Sequence, residues 1–432
     1  MQALLSFDQA PPFSAPIRFF LTAPLFAILA ALLILWEGPD LFVSRWTAAT
    51  LALTHLITVG FMLQAMLGAM IQILPVVAGA NIARPRFVAA VVHLAIGSGA
   101  LCLSAGFLGH PPFFNLAALC LGVGTALFAA AAAWALYSVQ STNPTIRGLK
   151  LSLIGLAVTV MLGLLLSIAL GESLALPLLQ LTSIHLAWGV VAWSIALLAA
   201  VALVVVPMFQ LTPAYPADFA RRFCWAAIVL PILWSLVDLL GWQIASTTLA
   251  SAMALLTGTF ALQTLRLQSQ GTRARFDASQ QLWRVGMICL IAACGLWLLA
   301  RFLPMLGDRR EWPLLCGILV FVGGFMSVIV GMFYKIVPFL VWLHLQNRGG
   351  GRILAPNMNK VIAGWQIERQ MHAHFLSLAT LLTATLFPGW LAYPAGLLLL
   401  LANTWLLRNL VAAIVFYRRH CAQIDATISA SP

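Results

Sequence analysis

Two histidines stand near the start of long apolar segments of this 432-residue sequence. His55 opens THLITVGFMLQAMLGAMIQILPVVAG (Thr54–Gly79), and His185 opens a second segment, His185-Leu-Ala-Trp-Gly189. A histidine within an apolar span is costly unless it finds a partner. Two neutral imidazoles that face each other across a helix bundle can supply both axial ligands of a haem iron, as in a low-spin b-type haem. The pattern therefore predicts His55 and His185 as haem ligands. The alternative is that both are structural histidines.

Arginines accompany these two histidines on the same predicted side of the membrane. Arg45 precedes the segment of His55, and Arg301 lies at the end of the ninth apolar segment. A guanidinium forms strong, charge-assisted hydrogen bonds with carboxylates. Arg45, Arg301 and the neighbouring pair Arg309 and Arg310 are therefore candidate partners for haem propionates.

A second group of histidines is predicted toward the opposite side of the membrane. It contains His93, His344, His372 and His374. His372 and His374 are two residues apart, roughly 200° around a helix, so they point to different places. His93 with one of this pair is a candidate site for copper or for a second haem. The alternative is that these histidines lie at the membrane interface and bind nothing.

The amino-acid composition indicates the environment in which these side chains lie. The chain is 62% hydrophobic and 8% charged, whereas soluble domains carry about 25% charged residues. Apolar segments of about 20 residues recur, as membrane-spanning helices require, and the short alternating segments of a membrane barrel are absent. The sequence predicts an all-α integral membrane protein in a lipid bilayer. The net charge of +12 lies mainly in loops on one side, which indicates topology and not nucleic-acid binding.

Twelve membrane-spanning helices are predicted in a single transmembrane domain that covers residues 1–432. Both termini then lie on one side, and the excess of arginine and lysine in the termini and the even-numbered loops places that side in the cytoplasm. The predicted spans are 18–36, 47–78, 87–108, 113–138, 149–171, 178–209, 222–241, 244–266, 283–304, 313–345, 371–388 and 390–417.

An internal repeat of four spans is predicted from the three long spans two, six and ten. Val59–Pro75 aligns without a gap with Val322–Pro338, pairing glycine with glycine twice and proline with proline. His55 lies 20 residues before Pro75, and His185 lies 22 before Pro207. Three pseudo-repeats follow, over about 15–140, 145–268 and 280–418. Span ten has Ile318 where the aligned histidine would lie.

Other chemistry finds little support in the sequence. No P-loop, GxSxG or HExxH motif occurs, and no catalytic residue is assigned. Asp238 and Lys335 are charged residues within predicted spans, where a charge often marks a transport path. A transporter without a cofactor, in which these two residues carry the coupling charges, is therefore an alternative function.

Twelve spans in three units of four, with histidines on the long inner helices, resemble subunit I of the haem–copper oxidases. That resemblance implies a bundle of the same type, with bound haem and copper. Its copper site uses a histidine of span six and a pair on span seven. Here His185 matches the first, and the seventh span (222–241) has no histidine.

The closer resemblance is to the NnrS family of bacterial inner-membrane proteins. Arg18-Phe-Phe-Leu resembles its opening segment, and His55, Gly60, Gly68, Pro75 and Gly79 resemble its second-span pattern. The resemblance implies a haem- and copper-containing protein tied to denitrification and nitric oxide stress. Nitric oxide or another diatomic ligand, and a redox partner, are the implied partners. If the protein is an enzyme, a haem-dependent oxidoreductase is implied. An accessory protein of a haem–copper enzyme is a further alternative.

Overall fold

The computed structural model describes residues 9–139, 143–273, 276–350 and 353–430, and these form helices joined by turns and loops, with no strand among them. Residue 140, the predicted end of the first unit, lies outside the described residues. Twelve long helices are numbered α1 to α12 along the described chain. They are Ser14–Glu37, Ala48–Ala78, Pro85–Phe107, Pro112–Tyr137, Pro144–Gly171, Leu178–Gln210, Ala217–Leu239, Gln243–Ser269, Ala278–Phe302, Glu311–Gly349, Gly364–Ala384 and Pro388–Ala430.

Eleven of these helices in the described chain are long and apolar enough to cross a membrane, so a multi-pass membrane protein is confirmed. The exception is α11. The predicted eleventh span, 371–388, is wrong at both ends, because α11 begins at Gly364 and ends at Ala384. Hydrophobicity located only the apolar half of this helix. Its first half is polar. There Gln366 accepts a hydrogen bond from a side chain of α12, and Gln370 donates one to a backbone carbonyl of α12.

The helices pack so that the same neighbours recur at every fourth helix. The first helix of each group of four packs on the second, in the pairs α1–α2, α5–α6 and α9–α10. The third packs on the fourth in each group, and the fourth packs on the first helix of the next group. The last helix, α12, packs along α1, so the chain closes on itself.

The three long helices α2, α6 and α10 each contain a π-helical segment. These segments are Leu56–Leu63, Trp188–Ile195 and Ile318–Met326. π-Helical turns are rare and occur frequently at functional sites. The first segment begins directly after His55, and the second begins three residues after His185. A proline follows in the same helix in all three cases: Pro75, Pro207 and Pro338.

Close contacts between small residues bring each long helix against the preceding helix. A Cβ atom at Gly323 would lie 2.7 Å from Sγ of Cys289 in α9. A Cβ atom at the aligned Gly60 would lie even closer to the ring of Phe26 in α1. Between α5 and α6 the glycine is on the other helix, since Gly155 of α5 faces the backbone of Ala192. Small residues allow this close approach, which is a common basis of packing between membrane helices.

The two ends of the bundle are distinguished by the chain termini. Phe13, beside the start of α1, stacks on Tyr417 near the end of α12, with ring centroids 4.0 Å apart. We call this the terminal end. The opposite end, which holds the α1–α2, α3–α4 and α5–α6 connections, is called the far end. His55 and His185 lie in the first third of helices that start at the far end.

Substitution of Gly155 by alanine tests the α5–α6 contact. The added methyl group would overlap the carbonyl group of Ala192, and backbone atoms cannot move aside as a side chain can. Overpacking of this kind costs about 1–3 kcal/mol, so we expect a lower melting temperature in detergent. Gly295→Ala is the control, because no atom lies within 4 Å of a Cβ at Gly295. Equal melting temperatures for the two variants would contradict the close contact.

Candidate functional site

His55 is held by its own helix and by an aromatic neighbour. Its Nδ1–H donates to the carbonyl oxygen of Leu51 at 2.8 Å, one turn earlier in α2. Its ring stacks on Phe107 at the end of α3, with centroids 5.0 Å apart. The carbonyl bond fixes the tautomer in which Nε2 carries a lone pair.

His185 is held by a different helix. Its Nδ1–H donates to the carbonyl oxygen of Thr159 in α5 at 2.9 Å. The ring reaches this carbonyl because position 163 is glycine, where a Cβ atom would lie 3.0 Å from Cε1 of His185. The hydrogen bond again leaves the lone pair on Nε2.

His55 and His185 lie at the same depth in the bundle, since both are in the first third of helices that start at the far end. They are close enough for their charges to interact, although α2 and α6 make little contact as helices. Among the described residues, no group hydrogen-bonds Nε2 of either ring. Imidazoles that bind metals almost always donate their other N–H to a carbonyl or carboxylate. The anchoring of both rings therefore matches that of metal-bound imidazoles.

His420 offers a useful comparison with His55. Its Nδ1 bonds the carbonyl oxygen of Phe416 at 2.8 Å, also one turn earlier, and its ring also stacks on a phenylalanine. The contact within the helix is therefore not special to His55. The difference is the environment, because His420 lies near the C-terminal end of α12 and His55 lies close to a second histidine.

A groove at the far end leads to the wall beside His55. Its volume is about 450 Å³, and it lies between the end of α1, the start of α2 and the end of α3. Glu37, Asp40 and Thr47 contribute polar groups to it, and Phe107 forms part of its lining. Phe107 thus both lines the groove and stacks on His55.

Arg45 and Arg301, the predicted partners of the propionates, each contact a tryptophan ring close by in the sequence. The guanidinium of Arg45 lies 4.5 Å from the ring centroid of Trp46, and that of Arg301 lies 4.7 Å from that of Trp297. Both arginines are exposed. Each guanidinium is weakly held by a cation–π contact, so reorientation toward a carboxylate has a low cost.

The second group of histidines is dispersed. Nε2 of His93 bonds the hydroxyl of Thr22 at 2.7 Å, and Nε2 of His374 bonds the hydroxyl of Ser327 at 2.8 Å. His374 is buried and His372 is exposed, so the expectation that they point to different places is confirmed. His344 lies edge-on to Phe13 at the terminal end.

No group of three or more histidine, cysteine, aspartate or glutamate side chains among the described residues is arranged to hold a metal ion. The hydroxyl bonds at His93 and His374 occupy Nε2, one of the two ring nitrogens through which a histidine binds a metal. A site for copper or a second haem at these histidines stays a prediction from the sequence.

Both charged residues of the transporter alternative have local partners. Nζ of Lys335 lies 2.7 Å from Oδ2 of Asp277, in an ion pair. A carboxylate oxygen of Asp238 accepts a hydrogen bond from Ser246 at 2.9 Å, and the other accepts one from Gln180 at 3.2 Å. These contacts give both residues a role in joining helices.

Sequence reasoning missed the groups that orient the two imidazoles. Thr159 contributes a backbone carbonyl, which any residue type supplies, so no sequence signal marks it. Gly163 was hidden among the other glycines of the apolar segments. Phe107 ends α3 far from His55 in sequence, and only the packing of α3 on α2 reveals the contact.

Comparisons with known proteins add no relative: no protein-family model matches the chain, and no curated protein matches it.

The ion pair between Asp277 and Lys335 can be tested through the dependence of stability on pH. Burial opposes ionisation of this carboxyl group, but the hydrogen bond and charge of Lys335, the amide of Gln280 and the charge of Arg273 together lower its pKa. A lowered pKa gives stability that is present above the unfolded value of about 3.9 and is lost as pH falls through the folded value. Asp277 also caps α9 by accepting from Gln280 N–H at 2.9 Å.

We expect Asp277→Asn to keep this cap, since asparagine caps as well as aspartate, and to lose the charge. Melting temperatures in detergent from pH 3 to pH 7 measure the effect. The wild type should be more stable near neutral pH, and the difference should shrink below about pH 4. A difference that does not change with pH would contradict the ionic role of Asp277.

Proposed function

We propose that this chain is a b-type haem-binding membrane protein of NnrS type that acts in nitric oxide handling or in membrane electron transfer. We place it in the bacterial inner membrane with both termini in the cytoplasm, as the distribution of arginine and lysine favours. The carrying observation is the pair of neighbouring imidazoles, His55 and His185. Each is anchored through Nδ1 to a backbone carbonyl and keeps Nε2 free.

We further propose three pseudo-repeated units arranged as in subunit I of the haem–copper oxidases. Three observations support it: the recurring helix neighbours, the three π-helical segments and the small-residue contacts. A fourth is the residue directly after each π-helical segment. Gln64 contacts His93 of α3, Ala196 contacts Cys224 of α7, and Ser327 contacts His374 of α11.

The chain's own residues prepare the site in this proposal. The carbonyl oxygens of Leu51 and Thr159 accept hydrogen bonds from Nδ1–H and so keep the lone pair of each imidazole on Nε2. Arg45 and Arg301 offer positive charge to propionates at the far end. A bound haem would supply reversible iron oxidation and binding of diatomic gases.

The far-end groove fits the proposed access for a small neutral ligand. Glu37 and Asp40 make its mouth negative, which disfavours anions through charge repulsion and leaves an uncharged diatomic molecule unaffected. Phe107 lies between the groove and His55, where rotation of its ring would open a path.

Two alternatives remain distinguishable by experiment. A transporter without a cofactor predicts a colourless protein, and its proposed charges Asp238 and Lys335 are already bound to neighbours. An accessory protein of a haem–copper enzyme predicts a stable partner on purification from its native membrane.

Loss of haem on substitution of the two histidines tests the proposal. We expect purified wild type to carry about one haem b per chain, because one pair of axial ligands holds one iron. His55→Ala and His185→Ala should each lose most of this haem in a pyridine haemochrome assay. His420→Ala is the matched control, since it removes an equally anchored, aromatic-stacked histidine outside the pair. Unchanged haem in both site variants, with expression under adequate haem supply, would contradict the ligand assignment.

Gly163→Ala tests the orientation of His185 without removing it. The new methyl group would lie 3.0 Å from Cε1 of the imidazole and would push the ring from the Thr159 carbonyl. We expect lower haem content or a shifted reduced-minus-oxidised difference spectrum. Gly295→Ala adds the same methyl group into open space and should leave the spectrum unchanged. Identical spectra for both variants would contradict the role of Gly163.

A further inference from the structure

A stripe of polar side chains runs along one face of α11. Its members are Gln366, Gln370, His374 and Ser377, at spacings of four, four and three residues, which places them on one side of a helix. The stripe starts near the terminal end and extends roughly 16 Å into the bundle, at about 1.5 Å per residue. We call it the α11 stripe.

Side chains of two neighbouring helices bind the outer part of the α11 stripe. Oε1 of Gln366 accepts a hydrogen bond from Nε1 of Trp405 at 2.7 Å. The backbone carbonyl oxygen of Gln366 lies 3.4 Å from Nδ2 of Asn409. Asn409 also donates to the hydroxyl of Tyr334 in α10 at 3.0 Å. Polar groups from α10, α11 and α12 thus meet at one place within an apolar bundle.

Deeper in the stripe, the polar atoms are only partly satisfied. Nε2 of Gln370 donates to the carbonyl oxygen of Ala402 at 3.2 Å, but Oε1 of the same side chain has no partner among the described residues. The hydroxyl of Ser377 has none there either. Gln370 is 1% exposed and Ser377 is 0% exposed. Bulk solvent therefore does not reach either group from the surface.

The hydroxyl of Ser377 differs from others on the same helix. Thr383 is exposed and Thr380 is half-buried. Thr380 donates to a carbonyl oxygen of its own helix at 2.8 Å, and Thr383 does so at 3.0 Å. This local bond is the usual solution for a hydroxyl in an apolar environment. Ser377 lies buried and does not make it, so its hydroxyl is directed toward another partner.

We propose that the α11 stripe binds a chain of water molecules that leads from the terminal end toward the π-helical segment of α10. Buried water typically bonds polar groups that would otherwise lack partners. Gln370 and Ser377 supply such groups, and His374, which bonds Ser327, lies between them on the same helix face. The chain gives polar access from the terminal end to the centre of the bundle. The π-helical segment of α10 contacts that of α2, which follows His55. The water site itself does not depend on haem.

Hydroxyl-radical labelling with X-rays tests this site, because radicals form from bound water inside the protein. Met371 lies next to Gln370 and is 1% exposed, whereas Met253 in α8 is 6% exposed and away from the stripe. We expect Met371 and His374 to be oxidised several-fold faster than Met253 in the full-length protein in nanodiscs. Equal or slower oxidation of Met371 would overturn the proposal.

Stability of Ser377→Ala gives an independent result. Removal of a truly unpaired buried hydroxyl relieves its desolvation cost and raises the melting temperature, whereas removal of a water ligand lowers it. We expect a lower melting temperature and slower labelling of Met371. Ser104→Ala is the control, since buried Ser104 donates to its own helix at 2.9 Å. A raised melting temperature for Ser377→Ala would overturn the proposal.

Discussion

Within a bilayer, each buried polar group must find its partner inside the bundle, and this constraint organises the whole molecule. His185 meets it by reaching a carbonyl of α5, and Lys335 meets it through Asp277. Polar residues of α11 meet it through α10 and α12. The groups that remain without partners in the described chain are consequently few and informative. The hydroxyl of Ser377 belongs to this class. Nε2 of the partly buried His55 and His185 also has no hydrogen-bond partner there.

Glycine makes several of these contacts geometrically accessible. Gly163 allows an imidazole to approach the α5 backbone, and Gly155 allows α5 to approach α6. The same helix pair therefore supplies both the packing and the acceptor of the His185 hydrogen bond. For this reason we expect Gly163→Ala to alter the spectrum of the proposed haem, although position 163 itself contacts the haem through no polar group.

Hydrophobic patterning predicted the helical class and nearly every span, because membrane helices must match the bilayer in length and polarity. It failed at α11, where polar residues buried by α12 lower the apparent hydrophobicity of the first half. The histidine pair was predicted from residue type and spacing alone, and its role as a ligand pair stays a prediction. The Thr159 carbonyl, the wall formed by Phe107 and the Ser377 hydroxyl depend on contacts between distant segments. The spacing of residues along the sequence does not predict such contacts.

The most direct test of the account is the dithionite-reduced minus oxidised visible spectrum of the wild-type protein purified in detergent. The account predicts a b-type difference spectrum with the sharp bands of a low-spin iron bound by two imidazoles. A colourless protein, expressed with adequate haem supply, would contradict it. His55 and His185 would then be structural histidines, and transport would become the leading function.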